Sequence, residues 1–220
     1  AMQTTSPATL DLRGAPIEGT IGLVLANLAA LVTALWLDWP PTALLWPYWL
    51  QSLVIGGFAV RRMLTAPRIC TKGFTSNGRP VPATRAGRVS TATFFTIHYG
   101  LFHLVYAGFI GGSGGWPAGM DFWATLALVA TFAWGHANSY RRNRDAEDAV
   151  PVNLGTVMFL PYLRVIPMHL TILFGGVVLG GGGRWALLLF TGLKTASDVA
   201  MHYAEHLILR REQAGTPAER

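Results

Sequence analysis

Six apolar runs of nearly twenty residues each, at roughly 19–37, 43–61, 89–110, 122–140, 156–179 and 185–209, account for most of this chain of 220 residues. The hydrocarbon core of a bilayer is about 30 Å thick and a helix rises about 1.5 Å per residue, so each run is long enough to cross it. Within lipid a helix satisfies all of its backbone hydrogen bonds internally, which an open strand cannot do. The runs therefore predict an all-α polytopic membrane protein with six transmembrane helices. Composition agrees: 51% of the residues are hydrophobic and 13% charged, unlike an ordinary soluble domain. The expected organisation is an N-terminal cytoplasmic segment over 1–18, one transmembrane domain over 19–209 and a cytoplasmic tail over 210–220.

Orientation follows from the basic residues. Arg61, Arg62, Arg68, Lys72, Arg79, Arg85 and Arg88 lie between the second and third runs with no acidic residue among them, whereas 111–121 has no Lys or Arg. Loops rich in Lys and Arg stay inside, so the loop 62–88 is cytoplasmic, and with six spans so are both termini. Arg141, Arg142, Arg144, Arg210 and Arg211 fall on the same side. Trp36, Trp39, Trp46, Trp116, Trp123 and Trp185 fall near the outer interface as an aromatic girdle. This topology places the chain in a membrane, with lipids as its surroundings. The net charge of +6 is thereby used for topology, and no nucleic acid is expected as a partner. Only Arg13 precedes the first run, and no cleaved signal peptide is expected. The single Cys70 excludes an internal disulfide and thiolate clusters. Pro and Gly in the loop 62–88 predict irregular, partly mobile structure whose cations meet anionic headgroups. Pro161 and Pro167 predict a kinked or broken fifth helix, and the short link Asp38-Trp39-Pro40-Pro41 predicts an antiparallel hairpin of the first two.

The last run carries Lys194, Asp198, His202, Glu205 and His206. An Asp or Lys near the centre of a spanning helix costs about 2.5 to 3.5 kcal/mol against lipid, so these groups must face protein, water, a metal or one another. Asn27, Gln51, His98, His169 and Asp198 fall near the middle of five different runs, a polar belt at one depth. Asp198, His202 and His206 at intervals of four share one stripe of the sixth helix. His202 and His206 form an HxxxH pair able to hold a divalent metal such as zinc, with His98 as third ligand. Asp198 would then orient or deprotonate a metal-bound water. Against this stands a plain network in which Lys194 neutralises Asp198 while the histidines bond to Gln51, Tyr99 or backbone. His98 and His103 are five residues apart and cannot both face the sixth helix, and His98 is preferred because it is nearer the centre. His169, His103, Tyr99, Gln51, Lys194 and Arg164 remain as substrate-contacting or supporting residues. Arg164 either snorkels to the inner interface or holds an anionic group.

Phe94-Phe95-Thr96-Ile97-His98-Tyr99-Gly100-Leu101-Phe102, Lys194-Thr195-Ala196-Ser197-Asp198 with His202, and Tyr48-Trp49 together resemble an uncharacterised bacterial membrane family known as a domain of unknown function. The resemblance implies a bacterial inner membrane, a shared fold and a shared site at His98, Asp198 and His202, and associates the position of Gln51 with a glutamate. The histidine, aspartate and HxxxH constellation is similar to the zinc site of the alkaline ceramidase and adiponectin-receptor superfamily, which has seven spans and takes its aspartate from another helix. Gly111-Gly112-Ser113-Gly114 resembles the serine motif of rhomboid intramembrane proteases, but a Gly-rich outer turn is the better account. The expectation is a zinc-dependent membrane hydrolase with a lipid-like amide or ester substrate. Its alternatives are a ligand-binding, proton-relay or transport protein, and a single b-type haem held by His98 and His202. Oligomeric state is not legible.

Overall fold

In a computed structural model of the chain, the described residues are 15–36, 38–114, 119–142, 151–177 and 183–214. The fold is mostly helical. Five of the six apolar runs form one long helix each: α1 Ala15–Trp36, α2 Thr42–Thr65, α3 Arg85–Gly114, α4 Gly119–Arg142 and, from the last run, α7 Gly183–Ala214. The fifth run divides into α5 Leu154–Phe159 and α6 Tyr162–Val177, with the break at Leu160 and Pro161. Pro161 has no N–H to continue α5, and just ahead of α6 that loss is harmless. Pro167 stays inside α6. Among the described residues, α2 and the Arg85–Gly112 part of α3 are long and apolar enough to cross a membrane.

The helix α2 lies at the centre and packs against α3, α4, α5 and α6, while α7 packs between α6 and α1. Short as the 37–41 link is, α1 finds its principal partner in α7 rather than in α2 among the described residues, so the hairpin expectation fails. Phe95, Met63, Ile110, Leu154, Met168 and Phe190 are fully buried between these helices. Trp46 is also buried, which removes it from the outer girdle, whereas Trp36, Trp39, Trp123 and Trp185 are exposed. An ion pair at 3.8 Å between Arg184 and Asp38 joins the start of α7 to the α1–α2 link. The helix α3 continues through Gly111-Gly112-Ser113-Gly114, where the sequence suggested a turn.

The basic loop is folded, contrary to the irregular segment expected. Strand β1 Ile69–Cys70 pairs in parallel with β4 Val152–Asn153, and β2 Thr75–Ser76 pairs with β3 Arg79–Pro80 through Asn77-Gly78, both at positive φ. Asn-Gly suits the left-handed pair of conformations that a two-residue hairpin needs. Phe74 fills the space over Gly155 and meets Phe159 edge-on. Asn153 caps α5 by accepting from the Thr156 amide and donates to the Lys72 carbonyl. The loop works as a small docked plate because its apolar residues Phe74 and Val81 are buried.

Where α2 meets α3, a Cβ on Gly56 would lie 2.7 Å from the Tyr99 ring, and one on Gly57 would meet nothing within 4 Å. Tyr99 cannot yield easily, since its hydroxyl donates to the Ser52 carbonyl at 2.9 Å and its ring is stacked on Phe95. Gly56→Ala should therefore destabilise the protein by about 1 to 3 kcal/mol, the usual range for overpacking. Gly57→Ala should leave thermal stability in detergent unchanged.

Candidate functional site

Asp198 is the meeting point of three helices. Its carboxylate accepts from Lys194, one turn earlier on α7, at 2.6 Å and from the Asn27 amide of α1 at 3.2 Å, both at Oδ2. Lys194 also donates to the Asn27 carbonyl oxygen at 2.7 Å, closing a triangle. The second oxygen, Oδ1, faces the Arg164 guanidinium of α6 at 3.7 Å. Only 8% of the Asp198 side chain is exposed, with 12% of Arg164 and 22% of Lys194. Intervals of four put Lys194 and Asp198 on one stripe of α7, and one turn away Ser197 donates to the Leu163 carbonyl of α6 at 2.6 Å. Polar groups thus pin α7 to both of its neighbours.

Arg164 does not snorkel. Its guanidinium lies 5.5 Å from the Tyr48 ring centroid and 5.4 Å from that of Phe132, one ring from α2 and the other from α4. The Lys194 ammonium is 5.6 Å from the same Tyr48 ring. Such positions over aromatic faces favour a cation electrostatically. Tyr48 itself is held by donation from its hydroxyl to the Arg164 carbonyl at 2.9 Å.

Three of the described histidines, His98, His103 and His169, sit in three separate arrangements, and His136 packs against Phe58 and Phe132. His103 is 1% exposed and shares a 2.8 Å hydrogen bond between Nε2 and the Ser52 hydroxyl, while Nδ1 faces the Tyr99 carbonyl at 2.9 Å. With Trp49 donating to the His103 carbonyl at 2.9 Å, these bonds make a polar clamp between α2 and α3. His98 lies on the exposed face of α3, stacked on Phe94, with Nδ1 2.8 Å from the Tyr162 hydroxyl. His169 pairs with the Tyr106 hydroxyl at 2.9 Å.

Of the expected site, the structure brings together Asn27, Arg164, Lys194 and Asp198. The described contacts of Asp198 include no histidine. His98, His103 and His169 are in other places, and Gln51 is half-buried on α2. His202 and His206 belong to α7, but their side chains lie outside the described residues. Among the described residues no three His, Cys, Asp or Glu side chains converge as a metal site. Tyr48, Ser52, Phe132 and Tyr162 join the site and its surroundings without having been singled out for it, since a hydroxyl or ring in an apolar run has no spacing signature for a partner on another helix.

The chain matches a family described as a family of unknown function (DUF6498) over residues 10–215. It belongs to that family, which agrees with the resemblance to an uncharacterised family seen in the sequence. Comparison with curated proteins finds no match, and comparison with solved structures finds none either.

Removing Asp198 would leave two buried cations facing each other, whereas removing Lys194 leaves Asp198 still paired with Arg164. Loss of one partner from a buried ion pair costs about 3 to 5 kcal/mol. Asp198→Leu should reach that range in unfolding measured in detergent, and Lys194→Met should cost clearly less. Equal losses would mean that Arg164 does not engage the carboxylate.

Proposed function

We propose that this protein is a six-span integral membrane protein that binds a small or lipid-like ligand at the Asn27–Arg164–Lys194–Asp198 cluster. The observation that carries the reading is the convergence of these four polar groups, three of them charged, from three helices of the bundle. A charged cluster at the level of the hydrocarbon is costly to keep and is a common mark of a substrate, ion or ligand path. The outer faces support the membrane setting: Leu25, Leu28 and Val32 on α1, Ile97, Leu101 and Leu104 on α3, and Leu126 and Leu128 on α4 are all exposed. Apolar surface on that scale is rare on a soluble monomer and ordinary against lipid.

Binding or transport is preferred over zinc-dependent hydrolysis because Asp198 is already committed. Its Oδ2 accepts two donors and its Oδ1 faces a guanidinium. With both oxygens already engaged by Lys194, Asn27 and Arg164, the carboxylate would have to give up a partner to reach a metal-bound water. The hydrolase reading rests on His202 and His206 and on a third ligand, His98, which is engaged with Tyr162.

Purified protein without a histidine tag should retain one non-metal ligand per chain in native mass spectrometry, and Lys194→Ala should lose it. Stoichiometric zinc that disappears in His202→Ala, or a haem Soret band, would overturn the binding reading.

The membrane orientation proposed has both termini and the loop 62–88 in the cytoplasm of a bacterial inner membrane. Half-buried Cys70 is the chain's single thiol. A membrane-impermeant maleimide should label it in permeabilised cells and not in intact ones. Labelling of intact cells would reverse the topology.

A further inference from the structure

Among the described residues the charges of the cluster do not balance. Lys194 and Arg164 bring two cations to the single carboxylate of Asp198. Lys194 takes the near position, with a 2.6 Å hydrogen bond to Oδ2, and Arg164 is left at 3.7 Å from Oδ1, beyond hydrogen-bond length. A lysine with three donors and an arginine with five differ in what they leave over. Lys194 spends two of its donors on Asp198 and Asn27. The Nε of Arg164 is buried without a partner. That N–H has lost water and has gained no acceptor in return.

A second orphan is close by in the pattern of α7. Thr191 is buried, and its hydroxyl has no hydrogen-bond partner among the described residues. It precedes Asp198 by seven residues, two helical turns, and so shares the stripe that carries the carboxylate. Buried donors without acceptors cost roughly 1 to 3 kcal/mol each, more when charged, and native structures rarely leave them so without a reason.

The geometry points to a bound oxyanion of single negative charge, a carboxylate or a phosphate monoanion, docked on the guanidinium of Arg164 beside Tyr48, Phe132 and Lys194. This inference deepens the proposed function and rests on it. One negative charge would neutralise the surplus cation. Its two oxygens would take the paired N–H groups that a guanidinium offers in fork geometry. A fatty acid would supply such a head from the bilayer, and inorganic phosphate or a soluble acid would supply it from water.

The test uses the full chain in nanodiscs of phosphatidylcholine, which adds no net charge. Equilibrium binding is measured for oleate included in the bilayer and for inorganic phosphate in the buffer. Saturable binding of one probe per chain is expected, and which probe binds tells whether the anion comes from lipid or from water. Arg164→Gln should weaken it at least tenfold. Arg164→Lys, which keeps the charge but not the fork, should fall between Gln and the native residue. Asp198→Asn removes the competing carboxylate and should tighten binding several-fold, with the anion restoring part of the thermal stability that this variant loses. Failure of both probes to saturate, or equal affinity in the native, Lys and Gln forms, would overturn the oxyanion. If a neutral ligand occupies the cluster and ignores Arg164→Gln, the oxyanion falls while the binding reading stands. If nothing binds in any form, both fall.

Discussion

Everything at the heart of this protein depends on one carboxylate in an apolar bundle. Asp198 cannot be left alone there, and the groups that answer it come from α1, α6 and from its own helix. An interaction between apolar side chains tolerates small displacements, but the 2.6 and 2.7 Å bonds of Lys194 do not. The carboxylate therefore sets the rotation of α7 about its axis and the depth at which Asn27 and Arg164 sit. The same requirement explains why α1 leaves its sequence neighbour α2 and lies along α7: its one buried amide has its partners there. Electrostatics here acts as a register device more than as a source of net stability, since transfer of the ions from water offsets much of their attraction.

A second polar device holds the other half of the bundle. Ser52, Trp49 and Tyr99 tie α2 to α3 around buried His103, with neutral hydrogen bonds in place of ions. The two devices differ in completeness. The α2–α3 clamp uses hydroxyl, indole and imidazole groups in nearly full complement, while the α1–α6–α7 cluster leaves a guanidinium short of acceptors. That contrast leaves the two halves of the bundle unequal: one polar device is nearly complete, and the other holds a buried nitrogen without a partner.

The helices were legible in the sequence because hydrophobic length is a one-dimensional property. Each run reads directly as a segment of helical length, and Pro161 announced the break between α5 and α6. The partnership of Lys194 with Asp198 was legible for the same reason, being an interval of four on one helix. Pairings across helices were not. Depth counting brought Asn27 to Asp198, but it equally brought Gln51, His98 and His169, because it measures height and not rotation. His98 was preferred over His103 for its central height, yet it is His103 that turns inward, as its place on the Tyr99 and Tyr106 side of α3 requires. The loop after α2 was misread because Pro and Gly mark both disorder and tight turns. What decided between them was Phe74, whose fit over Gly155 no local pattern announces.

The parallel pairing of β1 with β4 joins segments more than eighty residues apart and brings the end of α2 to the beginning of α5. Arg88, at the start of α3, reaches back to the carbonyls of Ala66 and Pro67 and adds a third helix to the seam. Two strands of two residues each therefore hold the ends of α2 and α5 together at one rim, where backbone hydrogen bonds and the reach of Arg88, not the length of the connecting loop, set how these helix ends sit beside α3.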